Sequence, residues 1–234
     1  MSWIRGPIIA VLACLVALTG CSGGSDPEPG DGAGLPSGEQ TLQQSAAAMR
    51  ALRSIAFTIA TEGQPNIAVR GGDVKLLRSG DAQGSLQIQQ AGLTVETDFV
   101  LVGDTVYYKG LTGAGYQKAP RSQIVALYDP SAVLDPERGL AKLLAVARSP
   151  KTEAREKVGG KDAYKVRATV PRETAAALIP GLTTDLTGHV WVSAADHRLL
   201  KMRGVVPPAG GGQEGAVVLT FTEFDSAYTF KPPV

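Results

Sequence analysis

The chain has 234 residues, with 23 Lys and Arg against 22 Asp and Glu and a net charge of +1 at pH 7. This balance excludes the basic surface of a nucleic-acid-binding domain, and no block of charge indicates electrostatic docking onto anionic lipid. The length suits one domain with a substantial core. Aromatic residues make up only 6% of the chain, which hints at a lightly filled interior.

The first 20 residues have the features of a secretory signal peptide that ends at a lipobox. Arg5 supplies a positive charge, and residues 8–18 form an apolar run that is too short to span a bilayer comfortably. The run ends in Leu18-Thr19-Gly20-Cys21, the pattern at which bacterial lipoprotein precursors are diacylglycerylated on the cysteine and cut before it. We therefore expect lipid attachment at Cys21 and anchoring at the extracytoplasmic face of the cell membrane. An ordinary signal peptide with an incidental cysteine is the alternative.

A tether is predicted between the signal peptide (residues 1–20) and the folded domain. Residues 22–38 contain six Gly and three Pro, a composition that cannot bury enough apolar surface to become ordered. We expect residues 21–38 to be flexible, with a reach of roughly 20–25 Å by random-coil scaling. Residues 39–234 would then form one domain without a disulfide, because the chain's other cysteine, Cys14, leaves with the signal peptide.

One helix and then several strands are predicted next. Ser37 and Gln40 have the spacing of a capping box, and apolar residues follow at helical spacing as far as Leu52. At Ile55 the apolar period changes to two, which predicts a strand. Strand patterns recur over residues 73–79, 84–90, 94–102 and 105–109. The intervening turns favour antiparallel pairing as a meander.

Helices are predicted in the middle of the chain and strands in its last third. Asp135 and Pro136 have the pattern of an N-cap and a first helical residue, and a short helix is predicted after Pro171. Further strands are predicted on both sides of a hairpin at residues 157–161 and over residues 186–193, 197–206 and 216–228. This order predicts the α+β class, with a single antiparallel sheet and helices packed on one face.

The residues that would be needed for catalysis do not form a recognisable group in the sequence. His189 and His197 are the only histidines, and they are expected to be displaced from each other across a hairpin. There is no nucleophile-elbow motif, no metal-ligand spacing and no phosphate-binding loop. The Gly-rich stretch from Gly210 to Gly215 links two predicted strands and is interpreted as a hairpin loop. We therefore expect no enzyme activity, no metal and no cofactor.

Several separated segments of the sequence resemble one family. They are residues 128–140 (Tyr128-Asp129-Pro130 to Gly139-Leu140), Thr97-Asp98-Phe99-Val100, Val158-Gly159-Gly160-Lys161, His189-Val190-Trp191-Val192 and Lys231-Pro232-Pro233. Together with the lipobox, they resemble the LppX/LprA/LprF/LprG family of actinobacterial, chiefly mycobacterial, lipoproteins, and in particular its LprG-like branch.

The resemblance implies a fold and a function. The fold would be a half-barrel like that of the LolA/LolB carriers, in which a strongly curved antiparallel sheet has helices on its concave face. An apolar cavity between sheet and helices would hold di- or triacylated lipids or glycolipids as cargo, with no cofactor. The protein, a monomer, would carry this cargo across the cell envelope, in some cases with a membrane lipid transporter.

The predicted pocket residues are apolar side chains that would face each other across the sheet–helix interface. The set comprises Ile59, Leu76, Leu86, Ile88, Val95, Phe99, Leu101, Leu140, Leu143, Leu144 and Leu178. Val190, Val192 and Leu219 are weaker candidates, because a register error of one residue would turn them to the other face. For each residue, ordinary core packing is the alternative.

A packed envelope protein that assists an export machine without carrying lipid is the second candidate function, and an enzyme is the third. A carrier of several acyl chains would need a cavity well above about 1,000 Å³, beyond the usual range of small-molecule pockets.

Overall fold

Eleven antiparallel strands form one sheet in the computed structural model, which describes residues 34–63, 65, 67–90, 92–110, 115–125, 130–179, 182–206 and 214–233. The strands are β1 (Ser54–Glu62), β2 (Val69–Leu77), β3 (Ala82–Gln90), β4 (Leu93–Val102), β5 (Thr105–Lys109), β6 (Tyr116–Pro120), β7 (Arg148–Val158), β8 (Lys161–Val170), β9 (Leu186–Ser193), β10 (Leu199–Val206) and β11 (Gly215–Phe224). The predicted antiparallel sheet is therefore confirmed. The lipobox and Cys21 lie outside the described residues.

Two meanders join at the centre of the sheet. The strand order is β6-β5-β4-β3-β2-β1-β11-β10-β9-β8-β7, so the first six strands run outward to one edge. The last five strands begin at the opposite edge and return until β11 pairs with β1. Strands that are consecutive in sequence are thus neighbours in the sheet, except that β6 and β7 lie at opposite edges.

In the described part of the chain, four helices and a 3₁₀ turn accompany the sheet: α1 (Gly38–Arg50), α2 (Arg121–Val125), α3 (Leu140–Ala145), α4 (Arg172–Ala175) and the 3₁₀ turn Pro130–Leu134. Leu42 and Met49 of α1 and Leu143 of α3 belong to one buried core that continues across the sheet as far as Val106 and Val166. The helices therefore occupy the concave face, as expected. No helix in the described part of the chain is long and apolar enough to cross a membrane.

Glycines on the concave face allow neighbouring strands to approach closely where the sheet bends. A Cβ atom at Gly84 would collide with the Asp73 carbonyl of β2, and one at Gly188 would collide with the Arg203 carbonyl of β10. Glycine kinks of this kind produce strong curvature in antiparallel sheets. The two pairs lie in different halves of the sheet, so the curvature is shared between the halves.

The start of α1 differs in detail from the predicted capping box. Ser37 occupies the N-cap position, but its side chain makes no capping hydrogen bond. Instead, the Thr41 hydroxyl donates to the Ser37 carbonyl over 2.8 Å. The first turn lies tightly against the sheet edge, since a Cβ at Gly38 would lie 2.6 Å from the Pro150 backbone.

The predicted helix start at Asp135 is wrong, because α3 begins at Leu140 with Gly139 as its N-cap. The Asp135 carboxylate accepts the backbone N–H groups of Glu137 (2.8 Å) and Arg138 (3.1 Å), so it closes a separate turn. The hydrogen bond from the Glu137 N–H is also the main reason why the pKa of Asp135 is lowered. This turn brings Gly139 so close to the Ala132 and Val133 carbonyls that a side chain would not fit there.

The edge strand β7 is irregular in its first third. Ser149 has a positive φ of 50°, and Pro150 follows it without a backbone N–H. Its pairing with β8 shifts register between Arg148 and Lys151 and again between Thr152 and Ala154. The strand is therefore bent and interrupted where the N-terminal turn of α1 packs on it.

Candidate functional site

An apolar gap of about 30 Å³ lies between helices α1 and α3 and strands β8, β9 and β10. It is bordered by Leu42, Leu143, Leu144, Ala147, Ala168, Val170, Leu186, Gly188, His189, Val190, Met202, Arg203 and Gly204. Leucines of the helices face a shallow row of small residues on the sheet.

Three small residues in register form the floor of the gap. Ala168 of β8 pairs with Gly188 of β9, and Gly188 pairs with Gly204 of β10. The methyl group of Ala168 is therefore the only side chain that β8, β9 and β10 contribute to this row, because the other two residues are glycines. The Leu186 side chain of β9 lies over Gly204, and Leu143 and Leu144 of α3 border the row on the helical side.

The size of the gap limits what it holds in this conformation. An apolar cavity of about 150 Å³ is needed to accept a molecule as small as benzene, and the gap is about 30 Å³. It is also far below the cavity of more than about 1,000 Å³ that was expected for several acyl chains. An acyl chain would enter here only if the helices moved away from the sheet.

The ionic groups at the border of the gap are already paired. Nε2 of His189 lies 3.1 Å from Oε2 of Glu153, and the Arg203 guanidinium donates to Glu62 over 2.7 Å. His197 lies in the β9–β10 turn with a positive φ of 59°, so the two histidines do not meet. Among the described residues, no three His, Cys, Asp or Glu side chains lie close enough to hold a metal ion.

The predicted pocket residues fall into three groups. Leu76, Leu101, Leu140, Leu143 and Leu144 are buried in the main core, and Ile59, Leu86, Phe99 and Leu178 are half-buried against it. Ile88 and Val95 are half-buried partners on β3 and β4. Of all these residues, only Leu143 and Leu144 line the gap. Contact with lipid stays a prediction for the whole set.

The residues that form the floor of the gap were not predicted from the sequence. The prediction placed the pocket mainly in the first half of the sheet, whereas the gap lies in the second half. Glycine inside a strand marks a bend or a close approach, and Gly188 and Gly204 each lie inside a predicted strand. That signal was present in the sequence, but pairing between the two glycines depends on the β9–β10 register.

Curated relatives cover almost the whole chain. The lipoarabinomannan carrier protein LprG of Mycolicibacterium smegmatis is 26% identical over 231 residues, which are 97% of this chain and 93% of the relative. The protein of the same name from Mycobacterium tuberculosis is 27% identical over 238 residues, with 97% and 95% covered.

Solved structures share the fold. LprF from Mycobacterium bovis superposes with a TM-score of 0.72 at 21% identity, covering 84% of this chain and 96% of LprF. LppX from Mycobacterium tuberculosis gives a TM-score of 0.60 at 18% identity, with 82% and 96% covered. The sequence pattern of the LppX_LprAFG lipoproteins matches residues 37–229. The chain therefore belongs to the LppX_LprAFG lipoprotein family.

Proposed function

We propose that this protein is a non-enzymatic lipoprotein that binds acylated lipids or glycolipids between its helical layer and its sheet and carries them across the cell envelope. The observation that carries the proposal is the gap above Ala168, Gly188 and Gly204, where the two layers meet over a floor almost without side chains. The lipoarabinomannan carriers among its relatives support the same function.

Lipid uptake would require α3 rather than α1 to move. Near its C-terminus, α1 is fixed to the sheet, because the Leu199 backbone N–H donates to Sδ of Met49 over 3.4 Å and the Arg78 guanidinium donates to the Arg50 carbonyl. Its N-terminus is in close backbone contact with Pro150. By contrast, α3 has six residues, and Leu143 and Leu144 form the roof of the gap.

The energies favour opening when lipid is present. Lifting α3 would expose three leucines, at a cost of about 1.5–3 kcal/mol for each side chain. Relative to an acyl chain in water, burying its roughly 15 methylenes would contribute about 12 kcal/mol. The lipid would also cover the leucines again. One acyl chain shielded from water would therefore hold the helix away from the sheet, and the closed form is the expected state without cargo.

The location follows from the proposed anchor. Lipidation at Cys21 would hold the domain at the extracytoplasmic face of the cell membrane, within reach of lipids in that membrane. A membrane lipid transporter would be a partner in export. Cys21 is then an attachment site and does not contact the cargo.

The small gap also favours a second candidate, a packed envelope protein that assists an export machine without binding lipid. Native mass spectrometry of the mature protein from an actinobacterial host separates the two functions. The carrier predicts a bound di- or triacylated lipid and transfer of labelled lipid between vesicles. Recovery of ligand-free protein alone, without transfer, would establish the packed protein instead.

A matched pair of variants locates the cargo. Ala168→Trp would place an indole in the gap and should strongly reduce bound lipid. Thr169→Trp adds the same group to the next residue of β8, which faces the other side of the sheet, and should retain lipid. If both variants bind lipid as the wild type does, the gap is not the binding site.

A further inference from the structure

An apolar row runs along the concave face of β4 from solvent into the core. Leu93, Val95, Thr97, Phe99 and Leu101 alternate onto this face. Leu93 is 70% exposed at the tip of the β3–β4 hairpin, whereas Leu101 is 1% exposed, and Val95 and Phe99 are half-buried. Exposure therefore falls from the rim of the sheet inwards.

The facing residues of β3 complete this row as a strip. Ile88 pairs with Val95, Leu86 with Thr97, and Ala82 with Leu101. The polar residue Thr97 in this strip is satisfied, because its hydroxyl donates to the Lys109 carbonyl over 2.7 Å. From Leu93 to Leu101 the strip is about 27 Å long at the usual rise per residue, which exceeds the roughly 15 Å of hydrocarbon in one bilayer leaflet.

The tip of this hairpin lies on the rim of the sheet at which the described chain begins. Strands β4 and β7 are separated by an odd number of strands in an antiparallel sheet, so they run in the same direction. Leu93 and Arg148, which begin these strands, therefore lie on the same rim. The start of α1 packs on Pro150, two residues further along β7.

The position of the proposed lipid anchor at Cys21 indicates that this rim of the sheet faces the membrane. Cys21 precedes Gly34, the first described residue, by 13 positions, and a random coil of that length has a root-mean-square reach of about 20 Å. A lipid at Cys21 would therefore hold this rim close to the bilayer. Leu93 is the one strongly exposed large apolar side chain among the described residues, and it lies on that rim.

We infer that the β3–β4 hairpin docks on the lipid bilayer through Leu93, and that the apolar strip behind it guides an acyl chain from the bilayer to the interior. The inference rests on the proposed function, and it assigns the half-buried Ile88 and Val95 to the entrance of the pocket. The outer face of the hairpin carries Gln87, Gln89 and Glu96, and the Arg70 guanidinium of β2 donates to the Gln89 amide oxygen. The charges of Arg70 and Glu96 offset each other, so docking through Leu93 should be similar on neutral and anionic vesicles.

Tryptophan fluorescence tests the docking. The mature lipidated protein is placed in phosphatidylcholine vesicles whose acyl chains are brominated, as wild type, Leu93→Trp and Asp104→Trp. Asp104 is exposed in the turn at the opposite end of β4, about 35 Å away at the usual rise, and is the matched control. Bromine should quench the tryptophan of Leu93→Trp, and its emission should lie to the blue of that of Asp104→Trp, with wild type giving the background signal of the buried Trp191. Equal quenching of the two variants would overturn the docking.

Lipid transfer tests the strip. Leu93→Asp should slow extraction of labelled lipid from vesicles about tenfold, since the free energy of burying one leucine side chain in the bilayer corresponds to about a tenfold change in rate. Thr94→Asp adds the same charge to the outer face and should not slow it. If wild type transfers lipid and Leu93→Asp does so at the same rate, the strip is not the route. If wild type binds no lipid at all, the proposed function fails, while the quenching result still decides the docking.

Discussion

Trp191 of β9 donates its indole N–H to Oε2 of Glu156 on β7 over 2.7 Å, and so connects two strands that are separated by β8. Lys165 of the intervening strand donates to the other carboxylate oxygen over 3.3 Å. The ammonium groups of Lys165 and Lys201 lie 5.6 and 4.8 Å from the centre of the indole ring. This group holds the last strands together on the face opposite the helices.

The Trp191–Glu156 contact makes stability depend on pH. The hydrogen bond from Trp191 is the largest cause that lowers the pKa of Glu156 from its ordinary value of 4.5. Because the folded state binds the proton less readily than the unfolded state, the stabilisation is present above pH 4.5 and is lost as pH falls through the lower folded-state pKa. The carboxylate is 40% exposed, so we expect less than about 1 kcal/mol.

Urea unfolding of wild type and Glu156→Gln between pH 7 and pH 3 measures this effect. Wild type should be the more stable at pH 7, and the difference should shrink below pH 4.5. A difference that is constant over the whole range would contradict the assignment. Other carboxylates titrate in both proteins, so the comparison isolates Glu156.

Replacement by alanine of the two glycines in the floor of the gap should lower the free energy of unfolding by very different amounts. A Cβ at Gly188 would collide with the rigid Arg203 carbonyl, whereas one at Gly204 would lie 2.9–3.1 Å from Cγ and both methyl groups of Leu186, a side chain that can shift. We expect Gly188→Ala to lower the free energy of unfolding by about 3 kcal/mol or more and Gly204→Ala by about 1 kcal/mol or less. Denaturant midpoints measure both, and equal losses would show that the β9–β10 bend is not held by Gly188.

Asp225 joins the end of β11 to the start of β1. Its carboxylate accepts the Arg53 backbone N–H over 2.9 Å and the Arg198 guanidinium over 3.1 Å, and its own φ is 56°. Asp225→Ala should cost about 2–3 kcal/mol, because both hydrogen bonds are lost and alanine disfavours this backbone region. Asp225→Asn keeps an acceptor and tolerates the positive φ, so thermal unfolding should show about half that loss or less. Similar losses for the two variants would argue against this role.

Leu86 tests the first half of the sheet. It is half-buried against the core and lies on the apolar strip, opposite Thr97. Leu86→Trp should narrow the strip and reduce the lipid recovered with the protein, with little change in folding. Native mass spectrometry and circular dichroism are the readouts. If folding and bound lipid both match wild type, Leu86 does not contact the cargo.

Most strands were predictable because their pairing is local. The alternation after Ile55 and the tight turns at Gly103 and Gly159 indicate hairpins directly, and the structure has them. By contrast, Tyr116–Pro120 shows little alternation and becomes a strand only by pairing with β5. The closure of the two meanders, in which β1 pairs with β11, spans most of the chain and has no local signal.

The site was harder to predict than the fold. Apolar residues at helical spacing identify Leu143 and Leu144 as facing the sheet, and both line the gap. The gap itself results from the absence of side chains at Gly188 and Gly204, which become neighbours only through the register of two strands. A pattern of apolar residues indicates which faces of helices and strands pack together, but it does not show where that packing leaves an empty space.

The irregular edge strand β7 has a consequence for copies of the protein held on one membrane. Anchoring would confine them to two dimensions, where molecules collide often and an open sheet could pair edge to edge with its neighbour. The positive φ of Ser149 and the missing N–H of Pro150 interrupt the hydrogen-bonding ladder at the rim that would face the membrane. At that rim, β7 offers no straight template for sheet extension, so a crowded layer of anchored copies would be protected from aggregation along this edge.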